Sequence, residues 1–225
     1  MARVNGPHRI SRFGLVNAYL VEEDDGLTLV DTAIPRSAKA LLEAAQELGK
    51  PIVRVVLSHA HGDHVGSLDA IREAIPRVEV SISARESRLL RVDKSLDPGE
   101  PEGKLRGSYP GVRSTPDRLL EPGDRVGSLE AHAAPGHTPG QLAFLDVRDR
   151  SLYCGDAFST LGGVATSAKP NPRFPLPALS TWHRPTALRS AGRLRALEPT
   201  RLAPGHGKVI EGPGAAMDAA ISRGS

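Results

Sequence analysis

One cluster of metal-ligating side chains limits what this chain can be. Residues 52–57 are apolar apart from Arg54, which predicts a strand inside a sheet. Four side chains that commonly bind metals follow within six residues: His59, His61, Asp63 and His64. In an α/β sheet, ligands bind in the loops that leave the carboxyl ends of strands. Because imidazole and carboxylate groups suit a borderline metal ion, the cluster predicts a metal site, with zinc as the leading candidate.

Three further residues of the same kind follow predicted strands, and each lies next to a glycine. They are His137, Asp156 and His206. Glycine lets the backbone approach a site closely, so these positions suit a crowded centre. Together with the cluster, they supply enough ligands for two metal ions.

The order of these seven residues resembles the metallo-β-lactamase superfamily, and the resemblance covers nearly the whole chain. It implies an α/β fold, a four-layer αβ/βα sandwich of metallo-β-lactamase type, formed by a single domain over residues 1–225. By this resemblance the first metal is held by His59, His61 and His137. The second is held by Asp63, His64 and His206, and Asp156 bridges both. Asp31 matches a family strand whose aspartate supports the site, although Ala33 stands where the family commonly has glycine.

The resemblance also implies a reaction. Two zinc ions per chain, with iron or manganese as alternatives, would share a hydroxide that attacks an ester, thioester, lactone or related acyl compound. Asp63 would orient this nucleophile and is the predicted catalytic residue. β-Lactamases with a metal-binding cysteine carry it at the position of Asp156, so this chain differs from a dedicated antibiotic hydrolase.

Two other classes of function remain open. Persulfide dioxygenase relatives share the motif order but use one iron, held by the residues corresponding to His59, His61, His137 and Asp156. A metal-bound fold without catalysis, acting as a binding module, is the third class. His206 between two glycines favours the dinuclear hydrolase.

Composition excludes several other classes of protein. Charged residues make up 24% of the 225 and hydrophobic residues 39%, which rules out a disordered chain. The net charge is only +3, without a dense Lys/Arg block, so no nucleic-acid partner is predicted. No run approaches the roughly 18 apolar residues of a membrane span. One cysteine, Cys154, and no visible secretory signal predict a cytoplasmic protein. The oligomeric state stays open.

Hydrophobic spacing predicts alternating strands and helices. Residues 13–21 and 27–30 are predicted strands, and residues 35–48 a helix with one buried face. A second helix is predicted over residues 182–197, capped by Thr181. Three other histidines and the cysteine are predicted to be structural: His8, His132, His183 and Cys154.

Two proline-rich loops, residues 93–117 and 158–179, interrupt this pattern. The second leaves directly after Asp156, so it is predicted to cover the site. Four residues are the candidate substrate contacts: Phe158 and Phe174 as an apolar wall, Arg173 as part of a positive rim, and Tyr109 from the first loop. The expected partner is a small acyl molecule. Only eighteen residues follow Gly207, too few for the helical glutathione-binding segment of glyoxalase II-like thioesterases.

Overall fold

The first half of the chain forms a six-stranded sheet covered by helices. The structure, a computed structural model, describes residues 6–224. The strands of this sheet, in spatial order, are β1 (His8–Arg12), β2 (Val16–Glu23), β3 (Gly26–Val30), β4 (Ile52–Val56), β5 (Glu79–Ser83) and β6 (Arg118–Leu120). The first three are antiparallel, and β3 to β6 are parallel. The helices of this half are α1 (Ala38–Glu47), α2 (Gly62–Val65), α3 (Leu68–Ala74) and α4 (Ala84–Leu90).

The second half forms a second six-stranded sheet with its own helices. Its strands, in spatial order, are β14 (Ile210–Glu211), β13 (Arg201–Pro204), β10 (Ser151–Gly155), β9 (Leu142–Asp146), β8 (Leu129–Ala133) and β7 (Arg125–Val126). A short hairpin of β11 (Phe158–Ser159) and β12 (Ala165–Thr166) stands apart. The helices are α5 (Leu176–Leu179), α6 (Arg184–Ala196) and α7 (Gly214–Gly224).

Three apolar clusters separate four layers. The middle cluster lies between the sheets and joins Val30 and Val56 of the first to Phe144 of the second. The rings of Tyr19 and Tyr153 meet across the same interface, with their centroids 5.3 Å apart. The outer clusters bury the remaining faces of the two sheets against helices. A sheet that is apolar on both faces requires cover on both, so the chain forms the predicted αβ/βα sandwich.

The structure moves the boundaries of three predicted elements. The strand predicted over residues 13–21 is the second arm of a hairpin, which turns at Phe13 with a φ of 54°. The helix predicted from residue 35 begins at Ala38, because Arg36 has a left-handed φ of 68°. The helix predicted from residue 182 begins at Arg184. The backbone N–H groups of Trp182 and His183 instead donate to the carbonyls of His137 and Gly136.

The first proline-rich loop has no helix or strand over residues 91–117, all of which the structure describes. The second contains the β11–β12 hairpin and α5, so it is more ordered than its composition predicts. Among residues 6–224, none of the helices has the length and apolar character needed to cross a membrane.

Candidate metal centre

Two adjacent groups of metal-ligating atoms lie at one edge of the sandwich, where β4, β8, β10 and β13 end. The structure brings together all seven residues that the sequence singles out. The first group is His59, His61 and His137, and the second is Asp63, His64, Asp156 and His206. Within each group, one potential ligand atom per residue lies within 4.8 Å of the others. Six of the seven residues are buried, and Asp63 is partly exposed.

Each histidine of the first group has one ring nitrogen fixed by a hydrogen-bond acceptor. The Ser58 hydroxyl donates to Asp31, so it accepts from Nδ1 of His59 at 3.0 Å. The Thr181 hydroxyl donates to a backbone carbonyl and accepts from Nδ1 of His137 at 3.0 Å. These contacts leave the Nε2 lone pairs of His59 and His137 directed into the group.

His61 is oriented the opposite way. Its Nε2–H donates to the Arg106 carbonyl at 2.9 Å, so its Nδ1 faces the group, 3.0 Å from Nε2 of His137. Two nitrogen lone pairs at this distance repel unless a proton or a cation lies between them. The first group is therefore arranged as three nitrogen donors for one cation.

The histidines of the second group are held in the same manner. Nδ1 of His64 donates to Asp31 at 2.8 Å, and Nδ1 of His206 donates to the Leu15 carbonyl at 2.8 Å. Their Nε2 atoms face Asp156, at 3.3 Å for His64 and 3.2 Å for His206. Asp63 lies 3.4 Å from Nε2 of His206 and is the most exposed member of the group.

Three buried atoms at the centre have no hydrogen-bond partner within the described part of the chain. They are Nε2 of His59, Nε2 of His64 and Oδ1 of Asp156. Buried polar atoms are seldom left unpaired, because the loss of hydration is costly. Unpaired nitrogen and oxygen atoms that converge in this way can act as ligands of a bound metal ion. The mixture of imidazole and carboxylate ligands fits zinc.

Charge differs between the two groups. Burial is the main influence on the first group and lowers the pKa of all three histidines, that of His137 to about 3. Burial also acts to lower the pKa of His64 and His206, but nearby carboxylates, above all Asp156, outweigh it. They raise the pKa of His206 to about 10 and that of His64 well above its usual value. The first group is thus neutral and ready to bind a cation, whereas in the second a cation must displace protons.

Asp31 accepts hydrogen bonds that help to orient a histidine of each group. Its two carboxylate oxygens accept hydrogen bonds from the Ser58 backbone N–H at 2.7 Å, from the Ser58 hydroxyl and from His64. It therefore acts on His59 through Ser58 and on His64 directly. Ala33, at the position where the family commonly has glycine, adopts a left-handed φ of 55°, the conformation that glycine accepts most readily.

Glu86 of α4 joins the two loops that carry the first group. Its Oε2 accepts from the Ala60 N–H at 2.8 Å, and its Oε1 accepts from the Gly140 N–H at 2.9 Å. The carboxyl group is fully buried, and burial raises its pKa. The residue was missed at the level of sequence, because a glutamate in a helix gives no local sign of these distant partners.

Exchanging Glu86 for glutamine is expected to weaken metal binding at the first group about 10-fold to 100-fold, the usual effect of disturbing a supporting residue. An amide has one acceptor oxygen and one NH₂ group with two donors, so one of the two backbone N–H groups would face another donor. Metal content after dialysis against a graded chelator measures the change. Glu73→Gln, at an exposed position on α3, is the matched control. Equal metal retention in Glu86→Gln and wild type would show that Glu86 does not position the loops.

A cavity of about 400 Å³ opens onto the centre. Four of the ligand candidates form its floor: His61, Asp63, Asp156 and His206. Its walls are mostly apolar: Leu15 and Val16 from the first hairpin, Ile34 and Pro35 after β3, and Phe174, Leu176 and Pro177 from the second proline-rich loop. No lysine or arginine is among the described residues that line it.

One of the four predicted substrate contacts lines this cavity. The Phe174 ring forms part of the wall, with its centroid 5.2 Å from that of His206. The prediction for Arg173 is corrected, because this residue is exposed and lies outside the lining. The second loop therefore contributes an apolar wall, and the positive rim predicted with it is absent from the residues that line the cavity.

The predictions for Phe158 and Tyr109 are also corrected. Phe158 begins the β11–β12 hairpin and is fully buried in the cluster between the second sheet and its helices. Tyr109 lies in the core of the first half and contacts His61, with ring centroids 4.8 Å apart. Tyr109 thus contacts a candidate metal ligand instead of lining the cavity.

Four other residues lie outside the centre, as predicted. His8 pairs with Glu22, and His132 pairs with Glu130. His183 precedes α6 and bonds to Thr186. Cys154 is buried on β10, and burial raises the pKa of its thiol. Thr181, predicted as a helix cap, instead fixes His137.

Comparison with known proteins agrees with this geometry. A family model described as the metallo-beta-lactamase superfamily matches residues 11–206. The uncharacterised protein YobT of Bacillus subtilis (strain 168) is 45% identical over 209 residues, which cover 92% of this chain and 90% of YobT. A hydroxyacylglutathione hydrolase of Gloeobacter violaceus is 32% identical over 144 residues, which cover 62% of this chain and 48% of that enzyme.

Among solved structures, a crystal structure of TTHA1623 in a di-iron-bound form is similar. It superimposes with a TM-score of 0.67 and 26% identity, covering 94% of this chain and 97% of that protein. The matched family, the four-layer fold and the two ligand groups lead to one assignment. The chain belongs to the metallo-β-lactamase superfamily of metallo-hydrolases and carries a candidate metal-binding site.

Proposed function

We propose that this protein is a dinuclear zinc hydrolase of small acyl compounds such as esters, thioesters or lactones. The observation that carries the proposal is the position of Asp156. Its Oδ2 lies 3.4 Å from Nε2 of His137 in the first group and 3.2 Å from Nε2 of His206 in the second, while its Oδ1 lies 3.3 Å from Nε2 of His64. One carboxylate that faces both groups supports a pair of neighbouring cations more than a single one.

In this proposal His59, His61 and His137 hold the first ion, Asp63, His64 and His206 hold the second, and Asp156 contacts both. Two zinc ions would lower the pKa of a shared water and polarise the acyl carbonyl. Asp63 is the proposed catalytic residue. Its side chain is 35% exposed and lines the cavity floor, and the neighbouring His64 and His206 outweigh burial and lower its pKa, so its ionised carboxylate can accept a hydrogen bond from an attacking water and orient it.

The cavity walls support an uncharged, apolar acyl group as the part of the substrate that is bound. The described lining residues offer apolar contacts from Phe174, Leu176 and Ile34 and include no lysine or arginine to pair with a carboxylate or phosphate. A nucleic acid would need such cations, so a small molecule fits better. We also propose a cytoplasmic location, since the one cysteine, Cys154, forms no disulfide within the chain.

Metal analysis combined with a substrate panel tests the proposal. The purified protein should contain about two zinc ions per chain and hydrolyse members of a panel of p-nitrophenyl esters, lactones and thioesters. Cephalosporins serve as the comparison for a β-lactamase. If the protein contains one iron per chain and consumes oxygen when a persulfide is added, the hydrolase proposal is wrong and the oxidoreductase alternative is supported. Bound metal without turnover on any substrate would favour the non-catalytic module.

His206→Ala is expected to separate one-metal from two-metal chemistry. His206 belongs to the second group only, so the variant should keep about one metal ion per chain and lose most of its hydrolysis, on the order of 100-fold or more in kcat. Metal content and kcat are measured on the same sample. A variant that retains both its metal stoichiometry and its kcat would contradict the dinuclear mechanism.

Phe174→Ala is expected to reduce kcat/KM most for long acyl chains. A buried methylene contributes about 0.8 kcal/mol, so losing the contact with two of them costs on the order of tenfold. A series of p-nitrophenyl esters from acetate to octanoate measures the effect. Arg173→Ala is the neighbouring control and should match wild type on neutral and anionic esters, because Arg173 does not line the cavity. A lower melting temperature with an unchanged chain-length preference would assign Phe174 a packing role only.

A further inference from the structure

A second cavity, of about 390 Å³, lies apart from the metal centre. It is enclosed by the turn of the β11–β12 hairpin, the segment that follows β12, and α7. Its walls are largely apolar and include Val164, Pro170, Pro172 and Ala220. It shares no described lining residue with the cavity above the metal centre. Its volume lies within the range of small-molecule pockets, roughly 300–1,000 Å³.

Thr166, Lys169 and Arg223 are polar side chains among the residues that line this cavity. The Thr166 hydroxyl has no hydrogen-bond partner among the described residues, but its oxygen is shielded from solvent, so a ligand in the cavity does not reach it. Lys169 and Arg223 are both exposed, and within residues 6–224 neither forms an ion pair. A ligand of opposite charge bound against the apolar walls would replace part of the hydration of these two cations with charge-assisted hydrogen bonds.

The cavity is formed before any ligand binds. The Asn171 side-chain amide lies within hydrogen-bond distance of the carbonyls of Leu161, Gly162 and Gly163, at 3.3 to 3.5 Å, and so ties the hairpin turn to the opposite wall. The Arg223 guanidinium donates to the Val164 carbonyl at 2.7 Å, which fixes it beside the cavity while leaving other N–H groups free. A preformed site of this kind avoids much of the ordering cost of binding.

We propose that this second cavity binds an amphipathic monocarboxylate, with its apolar chain against the walls and its carboxylate near Lys169 and Arg223. The apolar walls favour a ligand with a hydrocarbon body over a small inorganic anion. The two cations favour an acid over the corresponding alcohol. Neither the metal centre nor the hydrolysis proposed for it requires this site.

Calorimetric titration of the zinc-loaded, full-length protein with sodium octanoate tests the proposal. Replacing both cations, Lys169→Ala with Arg223→Ala, should weaken octanoate binding about tenfold or more, because charge-assisted hydrogen bonds are lost. Arg173→Ala removes an exposed charge from the same segment outside the cavity and should leave the affinity within about twofold of wild type. Octanol has the apolar chain without the charge, and inorganic phosphate has the charge without the chain. Each should bind at least about tenfold more weakly than octanoate.

Two results would overturn the site. Octanoate that binds wild type and the double variant equally would be bound elsewhere, for instance at the metal centre. An absence of saturable binding to wild type at millimolar octanoate would remove the ligand class altogether.

Discussion

Asp156→Asn is expected to lower kcat/KM on the order of 1,000-fold and to reduce metal content below that of His206→Ala. Asp156 faces both ligand groups, so its replacement disturbs both metal positions at once. An amide offers a single neutral oxygen where the carboxylate offers two charged ones. Stabilisation of transition-state charge by metal ions amounts to several kcal/mol, and each 1.4 kcal/mol corresponds to tenfold in rate.

The measurement is kcat/KM on the best ester of the panel, with metal content determined on the same preparation. Asp24→Asn makes the same chemical change at an exposed turn and should behave as wild type. Asp156→Asn with full metal content and activity within tenfold of wild type would contradict the role of Asp156 between the two groups.

Gly107→Ala is expected to displace His61 and to lower metal affinity at the first group by 100-fold or more. Gly107 packs against the His61 ring, and a Cβ at this position would lie under 3.0 Å from three ring atoms. The neighbouring Arg106 carbonyl and the Ser108 carbonyl bond to His61 and to the Gly62 N–H, so the loop cannot retreat without releasing both. Supporting contacts of this kind usually change metal affinity by about 10-fold to 100-fold, and here the ligand itself is pushed away.

Gly99→Ala is a close control, because Gly99 belongs to the same loop and has the same φ of 87°. A Cβ on Gly99 meets no atom within 4 Å, so this variant carries the backbone strain without the clash. The difference in zinc affinity between the two variants therefore isolates the contact with His61. Equal losses in both variants would mean that strain in the loop, and not the His61 contact, is responsible.

The metal ligands could be predicted from sequence because they are concentrated at strand ends. Residue type and spacing are enough to predict four of them as metal ligands, because His59, His61, Asp63 and His64 lie within six positions. The remaining three stand beside glycines directly after strands, where the fold requires a close approach of the backbone. In the structure all seven lie in two adjacent groups of potential ligands, with Asp156 in the second group.

The supporting contacts could not be predicted in the same way. Thr181 follows His137 by 44 residues and Glu86 precedes Gly140 by 54, so these partners meet only through the packing of whole layers. The carbonyls of Arg106 and Leu15 carry no side-chain signal at all. For Asp31, the sequence left open whether it supports the site, and its contacts with Ser58 and His64 now show that it does.

The two phenylalanines of the second proline-rich loop show why composition is insufficient within a loop. Phe158 and Phe174 are equivalent in chemistry, yet one lies in the core and the other lines the cavity. The difference arises from the β11–β12 hairpin, whose first strand turns Phe158 towards the helices. Two-residue strands of this kind leave too short an alternation pattern to be recognised in sequence.

The origin of the ligands also has a consequence for unfolding. His59, His61, Asp63 and His64 come from the half of the chain that forms the first sheet, whereas His137, Asp156 and His206 come from the half that forms the second. A metal ion bound in either group would therefore act as a reversible cross-link between the two halves of the sandwich. Such a link restricts the opening of one half away from the other, and the stability gained rises with the logarithm of free metal concentration. Removal of the metal by a chelator would therefore lower the stability of the interface between the two sheets, in addition to removing the chemistry of the site.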